Sequence, residues 1–265
     1  YLLRFPTPTL VYWGDVTQLQ LNIFYTVDVL HLISIGLAII VFLAILSELL
    51  GGKDKYVFSL TTILIIAGYW FTEQINWLDI FHPAIAGYFS RSAGSFFPIF
   101  PFLAYLTAGA FLGSYLAEKP NIFRQIKFSL VLFFTGISLL VISYFGNVLE
   151  VAYTGVDRFW DTSPNLVIFR LGIVLLINSL FTYFAAKMVT IPKILILLGR
   201  NTLLIYVVHL MILYGSTWNP GIILLFNQSF SPFETILSAL IMILLMSGMV
   251  YLINRFNIKN KALVT

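Results

Sequence analysis

The residues DVLHLISIGLAIIVFLAILSE at positions 28–48 form a long apolar run with acidic side chains only at its two ends. The hydrocarbon core of a bilayer is about 30 Å thick, and roughly 20 apolar residues of α-helix cross it. The run therefore predicts a transmembrane helix. The whole chain agrees, because 60% of its 265 residues are hydrophobic and only 10% are charged. A soluble domain averages about 25% charged residues, so lipid is the expected solvent.

Six further runs have the length and hydrophobicity of a membrane-spanning helix. They lie near 56–72, 98–117, 125–146, 165–188, 194–217 and 232–254. No sequence repeat and no Gly/Ser-rich or Pro-rich linker divides the chain. We therefore expect an all-α fold, a polytopic transmembrane helical bundle of about seven spans, with residues 1–265 in a single transmembrane domain. The chain starts at Tyr1 without an initiator Met, and we expect it to be incomplete at its amino terminus.

Lys and Arg residues are concentrated in alternate loops between the predicted spans. One set of loops, with the chain end, holds Lys53, Lys55, Lys119, Arg124, Lys127, Lys187, Lys193, Arg200, Arg255, Lys259 and Lys261. The other set holds only Arg4, Arg91 and Arg158. Because positively charged loops stay in the cytoplasm, we predict an integral multi-pass protein of a bacterial cytoplasmic membrane, with a cytoplasmic carboxyl terminus. The long connections 73–97 and 147–164 are then external.

The apolar composition predicts membrane lipid as a partner. The basic residues are spread among short loops and form no basic face, so nucleic acid is not expected as a partner. The chain has no Cys, and its three His are isolated at positions 31, 82 and 209. Such spacing predicts no metal site. Gly109 and Gly113 make a pair of small residues four apart, which predicts close helix packing and leaves a homodimer open.

Ionisable residues inside spans are costly and are candidates for function. Asp28 and His31 lie three residues apart at the outer end of the first span, where they could orient a general base or simply cap the helix. Arg170 lies inside the fifth span, about 8 Å from its outer end. It could bind an anionic or carbonyl group, or extend its guanidinium to the membrane surface.

A third group of polar residues falls in the sixth predicted span. Thr202, Tyr206 and His209 lie at i, i+4 and i+7, which places them on one face of a helix. A buried imidazole needs a hydrogen-bond partner. His209 can therefore be either a structural histidine or a catalytic one.

Several stretches of the chain together resemble one family of membrane enzymes. They are VDVLHLISIG (27–36), FPIFPF (97–102), AGAFLG (108–113), SP (163–164), FRLG (169–172) and LGRNTLLIYVVHL (198–210). In order and spacing they are similar to the heparan-alpha-glucosaminide N-acetyltransferase-like family of multi-pass membrane acyltransferases. The Arg-Gly-containing helix and the downstream catalytic His that begin this family are not found after Tyr1. We therefore expect further catalytic residues upstream of this fragment.

The resemblance implies transfer of an acyl group, typically acetyl, from cytosolic acyl-CoA to an amine or hydroxyl of a sugar or glycan outside the membrane. Acetyl-CoA or another acyl-CoA would be a co-substrate and not a tightly bound cofactor. The expected catalytic residues are His209, His31 and Asp28. Acceptor binding would fall to Arg170, Arg91 and Tyr206, and binding of CoA to Arg200, Asn201 and Lys193.

Two other classes of protein fit the composition. A transporter or permease of a small polar solute would also place ionisable residues in a cavity, but it commonly has broken helices in two related halves. A structural or sensory seven-helix protein would need no chemistry at all. An acyltransferase consumes acyl-CoA when an acceptor is present, whereas a transporter moves solute without covalent change.

Overall fold

The computed structural model describes residues 15–188, 192–216, 219–226 and 230–264. Arg4, the residues around it and the last residue of the predicted span 194–217 lie outside the described residues. Helices dominate the described chain. They are α1 (Gln18–Tyr25), α2 (Val29–Leu49), α3 (Asp54–Thr72), α4 (Pro83–Ala86), α5 (Ile99–Phe102), α6 (Ala104–Glu118), α7 (Ile126–Thr154), α8 (Pro164–Lys187), α9 (Lys193–Arg200), α10 (Thr202–Tyr214), α11 (Ile223–Phe226) and α12 (Pro232–Val264).

Short elements connect some of these helices. Single turns of 3₁₀ helix occur at Trp77–Asp79 and Ile122–Arg124. Two antiparallel strands of two residues each, β1 (Gly215–Ser216) and β2 (Asn219–Pro220), form a small ladder after α10.

Six helical segments are long and apolar enough to cross a membrane. They are Val29–Leu49, Asp54–Thr72, Ile99–Glu118, Ile126–Thr154, Pro164–Lys187 and Pro232–Phe256. Helices α9 and α10 provide a seventh crossing if the pair is counted as one span. The structure confirms the prediction of an all-α, multi-pass transmembrane fold. Each of the six segments begins within two residues of its predicted start.

The fourth predicted span, 125–146, is too short. Helix α7 continues to Thr154, and Gly155 ends it in the left-handed conformation with φ of 71°. Its 29 residues extend about 43 Å at 1.5 Å per residue, which exceeds the roughly 30 Å of the hydrocarbon core. The predicted connection 147–164 therefore begins as helix, and only its second half is a loop.

The sixth predicted span, 194–217, is not one straight helix. The axes of α9 and α10 differ by 71°, and the break falls at Asn201. The side chain of Asn201 turns back and donates from Nδ2 to the backbone oxygen of Leu197 over 2.8 Å. Asn side chains compete in this way with the backbone hydrogen bonds of a helix. Helix α10 has 13 residues, about 20 Å of helix, which is too short to cross a bilayer alone.

Contacts divide the chain into two compact units. The large unit is Leu21–Met188, and the small unit combines Tyr1–Gln20 with Val189–Thr265. Within the small unit, α12 packs against both α9 and α10. The expectation of a single domain stays a prediction, because two contact units can belong to one membrane domain.

The core of the large unit joins five helices. Its buried apolar side chains come from α2, α3, α5, α6 and α8 and from the α5–α6 junction, and they are Leu32, Ile65, Ile99, Phe102, Leu103, Ala104 and Val167. The opposite faces of the spans carry large exposed apolar side chains, as Leu37, Val41 and Phe42 show on α2. A membrane helix has this pattern because lipid covers the outer face.

Helices α7 and α8 form the most extensive helix pair of the large unit. Small residues recur every seven positions along α7, at Ser129, Gly136 and Ser143, and face a matching series on α8 at Ser179, Gly172 and Asn165. The hydroxyls of Ser129 and Ser179 donate to each other's backbone oxygens over 2.9 and 2.8 Å. A Cβ atom added at Gly172 would lie 3.0 Å from the backbone oxygen of Gly136. The two backbones therefore approach each other as closely as small residues permit.

The predicted packing at Gly109 and Gly113 is wrong within the described chain. A Cβ atom added at either glycine would meet nothing within 4 Å. The homodimer stays a prediction.

The glycine at the α7–α8 crossing provides a test of this packing. Gly172→Val places new methyl groups against Gly136 and Leu140, and overpacking of this kind costs about 1–3 kcal/mol. We expect a lower thermal unfolding midpoint in detergent. Gly109→Val is the matched control and should change the stability by less than about 0.5 kcal/mol. Equal midpoints for the two variants would contradict the crossing.

Candidate functional site

Three consecutive residues before α8 bind three different parts of the large unit. Asp161 forms an ion pair with Arg91 of the 73–98 connection. The Thr162 hydroxyl lies 3.0 Å from the hydroxyl of Tyr69, near the end of α3. Ser163 donates from Oγ to Oε2 of Glu150, near the end of α7, over 2.6 Å. The short α7–α8 loop therefore gathers polar side chains at one end of the unit.

Glu150 is the buried carboxylate of this cluster. The residue is only 6% exposed. Oε2 accepts two hydrogen bonds of 2.6 Å, one from Ser163 and one from Nδ2 of Asn165. No described Lys, Arg or His forms an ion pair with this carboxylate within 4 Å. A buried carboxyl group needs hydrogen-bond donors, and both donors that reach Glu150 are neutral side chains.

The local sequence explains why Glu150 is held in place. Ser163 is the N-cap of α8, and its Oγ accepts from the backbone N of Asn165 over 3.1 Å while donating to Glu150. Asn165 packs against Gly146 of α7, where a Cβ atom would clash with its side-chain oxygen. Ser143 donates to the backbone oxygen of Asn165 over 2.7 Å. The Ser-Pro cap of α8 and the small residues Ser143 and Gly146 on α7 together hold the carboxylate.

Two oxygen atoms in this region have no hydrogen-bond donor among the described residues. Oδ1 of Asn147 is buried and has no hydrogen-bond partner in the described part of the chain. No hydrogen bond from a described residue reaches Oε1 of Glu150. Asn147 and Glu150 lie three residues apart on α7 and are therefore neighbours on its surface. A buried acceptor without a donor, such as Oδ1 of Asn147, is costly. Together with Oε1 of Glu150 it can accept hydrogen bonds from an amine or a hydroxyl.

Charged side chains surround this end of the unit. Arg158 lies 3.7 Å from the carboxylate of Glu73. Burial raises the pKa of Glu73 above its ordinary value, Arg158 lowers it, and the negative charge of Asp161 raises it further. Arg91, which the sequence predicts as an acceptor-binding residue, is already paired with Asp161.

Asp28 and His31 form a helix cap. The Asp28 carboxylate accepts from the backbone N of Leu30 and His31 over 3.0 and 3.3 Å. Nδ1 of His31 lies 2.8 Å from Oδ1 of Asp28. The same Nδ1 lies 3.3 Å from the backbone N of Asp28, which donates to it in the capping box. Of the two alternatives, the structure shows the capping role, and the catalytic role stays a prediction.

Arg170 is exposed on α8. It interacts electrostatically with the hydroxyl of Tyr105 on α6. That hydroxyl is buried and has no hydrogen-bond partner of ordinary geometry among the described residues. Arg170 and Tyr105 thus form a second polar group in the large unit, with hydrogen-bonding capacity left over.

The small unit holds the remaining predicted residues. Nδ1 of His209 lies 2.9 Å from the backbone oxygen of Ile205 and must donate to it. In the neutral ring, Nε2 then carries a lone pair, and no described residue hydrogen-bonds to it. The rings of Tyr206 and His209 are 5.4 Å apart at 69°. Thr202, the third member of the predicted face, is exposed.

The predicted CoA-binding residues lie on or beside α9. Lys193 begins this helix and Arg200 ends it, and both side chains are exposed. Asn201 is held at the break by its bond to Leu197. The structure therefore groups the predicted residues within each unit, with Asp28, His31, Arg91 and Arg170 in the large unit and the others in the small unit.

The sequence analysis missed Glu150, Asn147 and Asn165. A signal was present, because Glu150 continues the seven-residue series of Ser129, Gly136 and Ser143. A charged residue in register with small packing residues indicates a position between helices. Comparisons with family models, curated proteins and solved structures find no match to this chain.

Proposed function

We propose that the protein is an integral membrane acyltransferase that moves an acyl group from cytosolic acyl-CoA to an amine or hydroxyl of a sugar or glycan outside the membrane. The proposed orientation has the α7–α8 loop outside and the carboxyl terminus in the cytoplasm. The alternate-loop distribution of Lys and Arg supports this orientation. The resemblance of the sequence blocks to the membrane acyltransferases supports the chemistry.

The observation that carries the proposal is the carboxylate of Glu150. Ser163 and Asn165 fix one oxygen, and the other oxygen is left without a donor among the described residues. A fixed carboxylate of this kind can accept a proton from an amine or hydroxyl as that group attacks the thioester carbonyl, whose C–S bond then breaks so that coenzyme A leaves as its thiolate. The buried Oδ1 of Asn147 offers a second acceptor for the same group.

Cationic side chains are available to bind the carbonyl group of the substrate and the phosphates of CoA. In the large unit, Arg170 can donate to a carbonyl or anionic group of the substrate and steady a developing oxyanion. In the small unit, Lys193, Arg200 and Asn201 can bind the phosphates of CoA, for which the forked guanidinium of Arg is well suited. Nε2 of His209 can accept a proton or bind the thioester carbonyl through a bridging water.

The role of Glu150 is tested by the variant Glu150→Gln in the purified full chain. Gln keeps an oxygen that accepts from Ser163 and Asn165 but cannot take up a proton. We expect acetyl transfer from radiolabelled acetyl-CoA, with glucosamine as amine acceptor or glucose as hydroxyl acceptor, to fall roughly 100-fold or more. The control is Glu73→Gln, which makes the same change at a carboxylate that does not contact Glu150. This variant should retain most of the turnover.

A monodisperse Glu150→Gln protein with normal turnover would remove Glu150 from the proposed mechanism. Absence of acetyl transfer by the unchanged protein, together with absence of acetyl-CoA binding, would argue against acyl transfer itself.

His209 is tested in the same assay. In the variant His209→Gln the new amide can still donate to a backbone oxygen but cannot act as an acid or base. A catalytic role for His209 therefore predicts that acetyl transfer falls roughly 100-fold. A structural role predicts a cost of about 1 kcal/mol in stability with unchanged turnover. His82→Gln, in the 73–98 connection, is the control substitution.

The orientation is tested by cysteine labelling, because the chain contains no Cys of its own. A Cys at Asn121 should react with an impermeant maleimide only from the cytoplasmic side, and a Cys at Asp157 only from outside. Labelling of both positions from one side would contradict the alternation of the loops.

Transport of a small polar solute is the second candidate function. The 71° break between α9 and α10 favours it, since discontinuous helices form the binding sites of many transporters. Transport predicts flux of unmodified solute into proteoliposomes, and no acetylated product should accompany it.

A further inference from the structure

The connection 73–98, between α3 and α5, is unusually apolar for a loop outside the membrane. Its only formally charged side chains are Glu73, Asp79 and Arg91. Six large apolar side chains in it are 38–59% exposed. They are Ile75, Leu78, Ile80, Phe81, Ile85 and Phe96.

Specific contacts hold this connection in a defined shape. The indole Nε1 of Trp77 donates to the backbone oxygen of Thr72, at the end of α3, over 2.9 Å. The ring of Trp77 stacks on Phe89 at 4.6 Å and 20°. The backbone N of Phe96 donates over 2.9 Å to the oxygen of Val27, just before α2. The exposed apolar side chains therefore cannot all turn inward without breaking these contacts.

Both ends of the connection lie at the same membrane surface. It leaves α3 at Thr72 and enters the next span at Ile99. The same end of the large unit carries exposed aromatic residues, with Trp70 38%, Tyr153 90% and Trp160 74% exposed. Trp and Tyr are enriched where a bilayer meets water. The connection is therefore at the level of an aromatic belt.

From these observations we propose that residues 75–85 bind the lipid of the adjoining leaflet. Leu78, Ile80 and Ile85 enter the boundary between headgroups and acyl chains, and the Arg91 side chain remains on the aqueous side with Asp161. The occupant of this apolar surface is lipid, because the segment is tied at both ends to membrane-spanning helices. This inference is independent of the proposed acyl transfer.

Site-directed spin labelling in phosphatidylcholine–phosphatidylglycerol vesicles tests the proposal with the full chain. Single Cys residues, introduced at Leu78, Ile80 and Ile85, carry a nitroxide. Its collision rates with oxygen and with a water-soluble nickel chelate are measured. Ile45, an exposed apolar position on the spanning helix α2, provides the lipid reference, and Ser92 provides the aqueous reference.

A lipid-bound segment gives a ratio of oxygen to nickel collision rates several-fold higher at the three positions than at Ser92, approaching that of Ile45. High nickel accessibility at all three positions would overturn the proposal in favour of a water-exposed loop. Low accessibility to both reagents would overturn it in favour of a protein cover, either a second copy or another part of the chain. Exposed single substitutions of this kind leave the contacts of Trp77 and Val27 intact, and size-exclusion chromatography checks the fold of each labelled protein.

Discussion

The close crossing of α7 and α8 at Gly136 and Gly172 is the contact on which the rest of the large unit depends. Lipid tails are as apolar as leucine, so helices in a membrane gain little from burying apolar side chains against each other. Close approach of backbones and hydrogen bonds between helices take over that role. The crossing provides both, because the glycines remove the Cβ atoms at the contact and Ser129 and Ser179 bond across it.

The position of Glu150 follows from the same crossing. Seven residues beyond Ser143, the side chain of Glu150 still faces α8, where the Ser163 cap and Asn165 meet it. A carboxylate at this depth would be expelled toward water if the helices were further apart, because its burial is tolerable only with donors in reach. The loop 161–163 then joins α3 and the 73–98 connection to the pair through Tyr69 and Arg91. The geometry of the candidate site is thus set by packing well inside the membrane.

Sequence reasoning succeeded for features set by length and composition, and failed where one side chain competed with the backbone. A bilayer of fixed thickness requires apolar runs of fixed length, which is why span starts such as Pro164 and Pro232 could be predicted closely. The break at Asn201 could not, since it depends on an amide that bonds back to Leu197, and the sequence alone does not show that bond. Glu150 was missed because a charge near the end of an apolar run looks like the start of a loop. Only the partner helix shows that this charge is buried.

The polar groups of the large unit differ in how completely their hydrogen-bonding atoms are paired. This difference distinguishes structural groups from candidates for a chemical role. Asp28 and His31 use their hydrogen bonds on the start of α2, as a cap should. The buried hydroxyls of Ser47 and Thr182 have no hydrogen-bond partner among the described residues, but an unpaired neutral hydroxyl costs far less than an unpaired charge. Glu150 combines a carboxyl group, burial and an acceptor oxygen without a described donor. A buried carboxyl group costs more than an apolar residue of similar size unless hydrogen-bond donors reach it, and at Glu150 those donors are Ser163 and Asn165.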